Sequence, residues 1–185
     1  RLLRERKTRG VHRVLKGRKE EIRVGENVCY ILWFIGRPAG YSLKFRDKNY
    51  MRAISPSLLS ADFGNLQRDC EMINQSSAEY LHIDVMDGVF VPNISFGFPV
   101  MEACRKHCTK PLDVHLMITH PEKYVERFCD AGAWSVGFHI EAVDDPMPAI
   151  ELIRKKGVRT CLTINPKTDI HSLDPYLGEV DMVLL

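Results

Sequence analysis

Residues 80–86 alternate strictly. Leu81, Ile83 and Val85 fall on one side of an extended segment and His82, Asp84 and Met86 on the other, the period of two that marks a β-strand. The apolar row can pack against a core, whereas an imidazole and a carboxylate need polar surroundings. Residues 112–118 (LDVHLMI) repeat the device, with Asp113, His115 and Met117 opposite Leu112, Val114, Leu116 and Ile118.

From Met51 onward such strands alternate with helical patterns, which argues for a parallel sheet built of βα units. Residues 52–59 (RAISPSLL) read as a short strand entering a loop, and residues 65–73 (NLQRDCEMI) as a helix presenting Leu66, Cys70 and Ile73 to a core. A second helix is predicted over 99–108, ended by Lys110 and Pro111. Pro121 opens a third, PEKYVERFCDAG, which Gly132 closes. Residues 135–141 (SVGFHIE) form the next predicted strand, with His139 and Glu141 on one face. Pro146 and Gly157 bracket a helix, residues 159–165 (RTCLTIN) are strand, 169–177 helix and 181–185 (DMVLL) strand. That makes about six of the eight βα units of a TIM (β/α)8 barrel, so the expected fold class is α/β, an incomplete barrel whose chain stops before closure.

Such barrels build their sites at the C-terminal ends of the strands. Ser57, His82, Asp84, His115, His139 and Glu141 fall at or near those ends. Two imidazoles and a carboxylate from neighbouring strands, His82, His115 and Asp84, could hold a divalent cation. The competing reading of each histidine alone is a hydrogen-bonded core or surface residue.

Composition divides the chain. Of 185 residues, 45% are apolar and 27% charged, ordinary for a globular protein. Yet residues 1–50 carry 14 Lys and Arg against 5 Asp and Glu, a net of +9, and residues 51–185 carry 12 against 19, a net of −7. Residues 1–50 therefore read as an unrelated basic extension and 51–185 as the barrel. A nucleic-acid-binding arm is one reading of the extension, but without a recognisable motif a solvated segment is favoured. The apolar run 28–36 (VCYILWFIG) is too short to span a bilayer, and four glutamates precede it, which argues against a signal peptide. The six cysteines lack a CxxC pair and read as reduced, buried thiols of a cytosolic protein. Cys104, His107 and Cys108 could be imagined as a metal site, but small residues four apart on one helix face explain the pair better.

SPSLLSADFGNL (55–66), HIDVMDGVFVPNISFG (82–97), DVHLMI (113–118), FHIEA (138–142) and DMVLL (181–185) resemble, in order and spacing, the bacterial ribulose-phosphate 3-epimerases. The resemblance covers residues 51–185. It implies a cytoplasmic TIM-barrel isomerase of the pentose phosphate pathway that interconverts D-ribulose 5-phosphate and D-xylulose 5-phosphate. One divalent metal ion (Zn, Fe, Mn or Co) is implied as cofactor, with metal-assisted two-base proton transfer through an enediolate. By position, His82, Asp84 and His115 would be metal ligands and Asp84 also one catalytic acid/base. Ser57 and His115 would meet the substrate, and Met86 and Met117 would cap the enediolate. The family's second catalytic aspartate and its glycine-rich phosphate loops would lie beyond Leu185, so the chain by itself is expected to be an incompetent epimerase. A phosphorylated ketopentose and, at full length, further copies of the chain are the implied partners, with no membrane or nucleic acid. A related epimerase of six-carbon ketose phosphates and a non-catalytic fragment are the alternatives.

Overall fold

A computed structural model of the chain describes residues 53–185 and the two-residue strand β1 (Phe34–Ile35). The expected basic extension, its boundary near residue 50 and the rest of the apolar run lie outside the described residues. Helices and strands then alternate through α1 (Leu66–Gln75), β2 (Leu81–Met86), α2 (Phe98–His107), β3 (Leu112–Met117), α3 (Val125–Asp130), β4 (Ser135–His139), α4 (Met147–Lys155), β5 (Arg159–Thr163) and β6 (Met182–Leu184). They form one open sheet in the order β1-β6-β5-β4-β3-β2, in which β2 to β6 run parallel and β1 pairs antiparallel with the edge of β6. Five parallel strands in sequential order, crossed over by helices, are a part of a TIM barrel.

Parallel strands have both faces covered, and here the two faces differ. On one, Ile83, Val114, Val136, Leu116, Phe138 and Leu162 are at most 1% exposed and belong to the same apolar cluster as Met101, Phe128, Ile150 and Ile153 from the helices. Phe128 also packs against Phe98, ring centroids 4.4 Å apart and planes tilted by 32°, while the Arg127 guanidinium lies 3.7 Å over the Phe98 ring. The other face carries His82, Asp84, Asp113, His115, Ser135 and His139, all buried.

Four expected elements change form. Of the strand expected at 52–59, the described residues 53–59 form no extended ladder: Ser57 makes an isolated parallel bridge to His82, and the carbonyls of Ile54 and Pro56 accept from Tyr80 and His82 at 3.3 and 2.9 Å. Pro56 has no N–H to return, so pairing is confined to single bonds. Ser57 then caps a 3-10 turn, Leu58–Ser60, by accepting from the Leu59 N–H at 3.2 Å. The helix expected from Pro121 splits into a 3-10 turn, Pro121–Lys123, and α3, after His120 in left-handed backbone (φ 52°). β4 ends at His139, so Glu141 sits on a 3-10 turn (Ile140–Ala142) rather than on the strand. Residues 169–177 form a 3-10 helix, Ile170–Tyr176, which contains Pro175 and which Asp169 caps by accepting from the His171 N–H at 3.1 Å. Gly132 and Gly157 close their helices as expected, at φ 92° and 72°.

Replacing Phe128, 2% exposed, by alanine should cost about 3–5 kcal/mol in urea unfolding. Met72→Ala, on a side chain 59% exposed in α1, should stay within about 0.5 kcal/mol of the parent.

Candidate metal centre

Strand register builds the centre. In the β2–β3 ladder His82 pairs with Asp113, Asp84 with His115 and Met86 with Met117. Because side chains alternate, these six share the polar face. His82 is the second residue of β2, deeper than the strand-end position expected for it, with Asp84 two residues further along.

The Asp84 carboxylate is the hub. Its Oδ1 lies 3.1 Å from His82 Nε2 and 3.2 Å from His115 Nδ1, while Oδ2 accepts the Ser57 hydroxyl at 2.5 Å. One ligand atom from each of His82, Asp84 and His115 lies within 4.8 Å of the other two. Among the described residues this is the one such group of three, and Cys104, His107 and Cys108 do not form another. A tetrahedral cation with bonds of about 2.0–2.2 Å separates its ligand atoms by roughly 3.3–3.6 Å, close to the contacts at Asp84. Two imidazoles and a carboxylate suit several first-row divalent ions. The donor set therefore fits a divalent cation.

Both histidines are backed by further groups. His82 Nδ1 lies 2.7 Å from Asp113 Oδ2, and the other Asp113 oxygen accepts the Ser135 hydroxyl. Carboxylate backing of this kind fixes a ligand imidazole's orientation and raises its basicity. His115 Nε2 lies 2.9 Å from His139 Nε2, with the rings stacked at 5.0 Å between centroids. Gly137 sits in register between His115 and Cys161, where an added Cβ would come 3.1 Å from the Cys161 Cβ.

The buried charges settle into a definite pattern. Burial opposes the His82 imidazolium, but hydrogen bonds to Asp113 and Asp84 outweigh it and raise His82 to about 9. Burial also opposes Asp84's charge, and hydrogen bonds from His115, His82 and Ser57 overcome it and hold that carboxyl well below the usual range. His115 is pushed down by burial, aided by the nearby His82 charge. His139 falls to about 4 through burial and the proximity of His115.

Met86 and Met117 stand side by side one step beyond Asp84 and His115, half-buried. The loop after β2 is pinned there. Asp87 accepts from the N–H groups of Val89 and Phe90 at 2.9 Å each, and from the Thr119 N–H and hydroxyl at 2.7 and 2.9 Å, tying the β2 loop to the β3 loop. Gly88 follows at φ 76°, where a Cβ would also lie 2.7 Å from the Ile94 side chain. Ser95 closes the loop by donating to the Asp84 carbonyl at 2.7 Å and accepting from the Met86 N–H at 2.9 Å.

All the site residues expected from sequence (Ser57, His82, Asp84, Met86, His115 and Met117) gather in this one region. Sequence reasoning assigned no role to Asp113, Ser135, Asp87 or Ser95. Asp113 already stood in the polar row of its strand, a usable signal. The others act through contacts 9 to 32 residues away in the chain, with no local pattern to announce them.

A parallel sheet of βα units with a His–Asp–His cluster on its inner face defines a TIM-barrel protein with a candidate divalent-metal centre. Within that class, the profile of the Ribulose-phosphate 3 epimerase family matches residues 53–185, and the chain belongs to that family. Ribulose-phosphate 3-epimerase of Bacillus subtilis (strain 168) is 41% identical over 135 residues, covering 73% of this chain and 62% of that protein. The Treponema pallidum (strain Nichols) protein of the same name is 42% identical over 132 residues, 71% of this chain and 61% of that protein. The cytoplasmic isoform of Oryza sativa subsp. japonica is 40% identical over 136 residues, 71% and 60% respectively. The chain thus spans about three fifths of the length of these relatives. Among the described residues no helix is long and apolar enough to cross a membrane.

The two shifted histidines bracket a stability optimum. A fold that raises His82 from 6.5 to about 9 favours its charged form, so that stabilisation is complete below pH 6.5 and lost as pH climbs through 9. A fold that lowers His139 from 6.5 to about 4 favours its neutral form, so stability is lost as pH falls from 6.5 towards 4. Urea midpoints of the metal-free protein should therefore peak near pH 6.5, and His82→Gln should flatten the alkaline limb alone.

Proposed function

We propose that this chain supplies the metal-binding residues of an epimerase that inverts C3 of D-ribulose 5-phosphate to give D-xylulose 5-phosphate, a step of the pentose phosphate pathway. The observation that carries the reading is the division of labour at Asp84: Oδ1 faces two imidazoles and Oδ2 faces the Ser57 hydroxyl. Inverting a carbon beside a ketone requires removal of a weakly acidic proton and its return on the opposite face. One oxygen of Asp84 can join a ligand set while the other takes that proton.

His82, Asp84 and His115 would hold the divalent cation, whose charge would stabilise the enediolate oxygens as they develop. Asp84 is held ionised by its hydrogen bonds, which keeps it in the proton-accepting form across the physiological range. Ser57 donates to Oδ2 and fixes its direction, and it would meet the substrate beside the reacting carbon. Asp113 and Ser135 lock the His82 ring so that Nε2 points to the cluster. Met86 and Met117 would cover the enediolate with thioethers, which exclude water and donate no proton. The five described cysteines are free and buried, which supports a reducing, cytoplasmic setting.

Abstraction can be read without inversion. With high D-ribulose 5-phosphate in D2O, the metal-loaded protein should exchange the C3 hydrogen for deuterium, and Asp84→Asn should slow exchange by about 100-fold or more. Equal exchange by parent and Asp84→Asn would overturn the assignment of the base. By metal analysis the parent should retain one Zn, Fe, Mn or Co, and His82→Ala and His115→Ala should retain little.

A further inference from the structure

Beyond the three candidate ligands, the buried cluster continues into a row that the proposed reaction does not use. His115 Nε2 meets His139 Nε2 at 2.9 Å, and His139 Nδ1 lies 3.4 Å from Glu141 Oε2. Glu141 is held in turn by the Asn165 N–H at 2.7 Å and by the Thr168 hydroxyl, both in the loop after β5. The Phe90 ring closes over His139, centroids 4.9 Å apart. The line from Asp84 to Glu141 therefore runs carboxylate, imidazole, imidazole, carboxylate.

A proton count constrains this line. It has three contacts: Asp84 to His115, His115 to His139 and His139 to Glu141. Two neutral imidazoles bring only two N–H groups. One contact must be left with acceptors facing each other. Among the described residues His139 Nδ1 is a buried nitrogen without a hydrogen-bond partner, its approach to Glu141 lying within ion-pair range but off the bonding direction. A cation held by His115 Nδ1 needs that nitrogen bare, which puts the ring's proton on Nε2, where His139 Nε2 at 2.9 Å must accept it, and leaves the His139 proton on Nδ1, 3.4 Å from Glu141. The bare His115 Nδ1 lies 3.2 Å from Asp84 Oδ1. Two lone pairs converging in a buried place are what a cation satisfies and a proton-filled network does not.

We propose that His139, which faces Glu141, is a positioning residue that keeps the His115 ring as its Nε2–H tautomer and so presents the Nδ1 lone pair to the cation. The inference rests on the metal reading above and deepens it. It makes the loop after β5, through Asn165 and Thr168, the far anchor of a ligand on β3.

The test is Co²⁺ binding to the whole 185-residue chain, followed by visible absorption, together with 15N spectra of the histidine rings in the Zn²⁺-loaded protein. His139→Leu, which cannot accept from His115, should weaken Co²⁺ binding about 10- to 100-fold. His139→Gln, whose side-chain oxygen can accept near the position of Nε2, should bind within about threefold of the parent. Glu141→Gln should fall between the two. In the Zn²⁺-loaded parent the ring protons should be on His115 Nε2 and His139 Nδ1. If the parent takes up Co²⁺ but His139→Leu binds within about twofold of it, or if His139 carries its proton on Nε2, the inference is overturned while the metal reading stands. A parent that takes up no Co²⁺ overturns both. Should His139→Leu fail to fold, the ring-proton assignment in the parent decides alone.

Discussion

A carboxylate 8% exposed inside a strand face is tenable only if its charge is answered, and the answer at Asp84 organises the molecule. Two imidazoles approach one oxygen and a hydroxyl approaches the other. Each of those partners comes from a different segment: His82 from the same strand, His115 from β3 and Ser57 from the bridge that precedes α1. The first three segments of the barrel are therefore tied together through one side chain.

The need for partners propagates outward. His82 spends its second nitrogen on Asp113, and Asp113 spends its second oxygen on Ser135 of β4. His115 turns its second nitrogen to His139, the last residue of β4. A partly satisfied polar network in a buried face is worse than an apolar one, so every strand from β2 to β4 must supply its member. The apolar rows on the opposite face carry the hydrophobic stabilisation that offsets this burial of polar groups. One sheet thus has a face that holds the fold together and a face arranged for chemistry.

Loops hold the mouth of the site in the same way. Asp87 collects four hydrogen bonds from the loops after β2 and β3, and Ser95 returns the first loop to the backbone of Asp84. Those bonds fix the loops that follow the ladder pair of Met86 and Met117. The shared family membership with proteins about 40% identical covers this entire set of strands and loops.

Much of this was legible without coordinates. Period-two alternation identified β2 and β3 and sorted His82, Asp84 and His115 from Leu81, Ile83 and Leu112, because which face a strand residue takes is a local property. The βα alternation disclosed the parallel sheet, since parallel neighbours need a crossover. Less was legible where geometry depends on a hydrogen-bond inventory. The strand expected at 52–59 became a single bridge at Ser57, and the strand expected to reach Glu141 ended at His139.

Sequence by itself determined the identity of the polar row and the order of the strands, because side-chain alternation and chain connectivity are written into neighbouring residues. Only the tertiary structure decided that Asp84 turns one oxygen to two histidines and the other to Ser57, and that His139 faces His115. Those are distances between strands set by register across the sheet, and register comes from the packing of the whole apolar face.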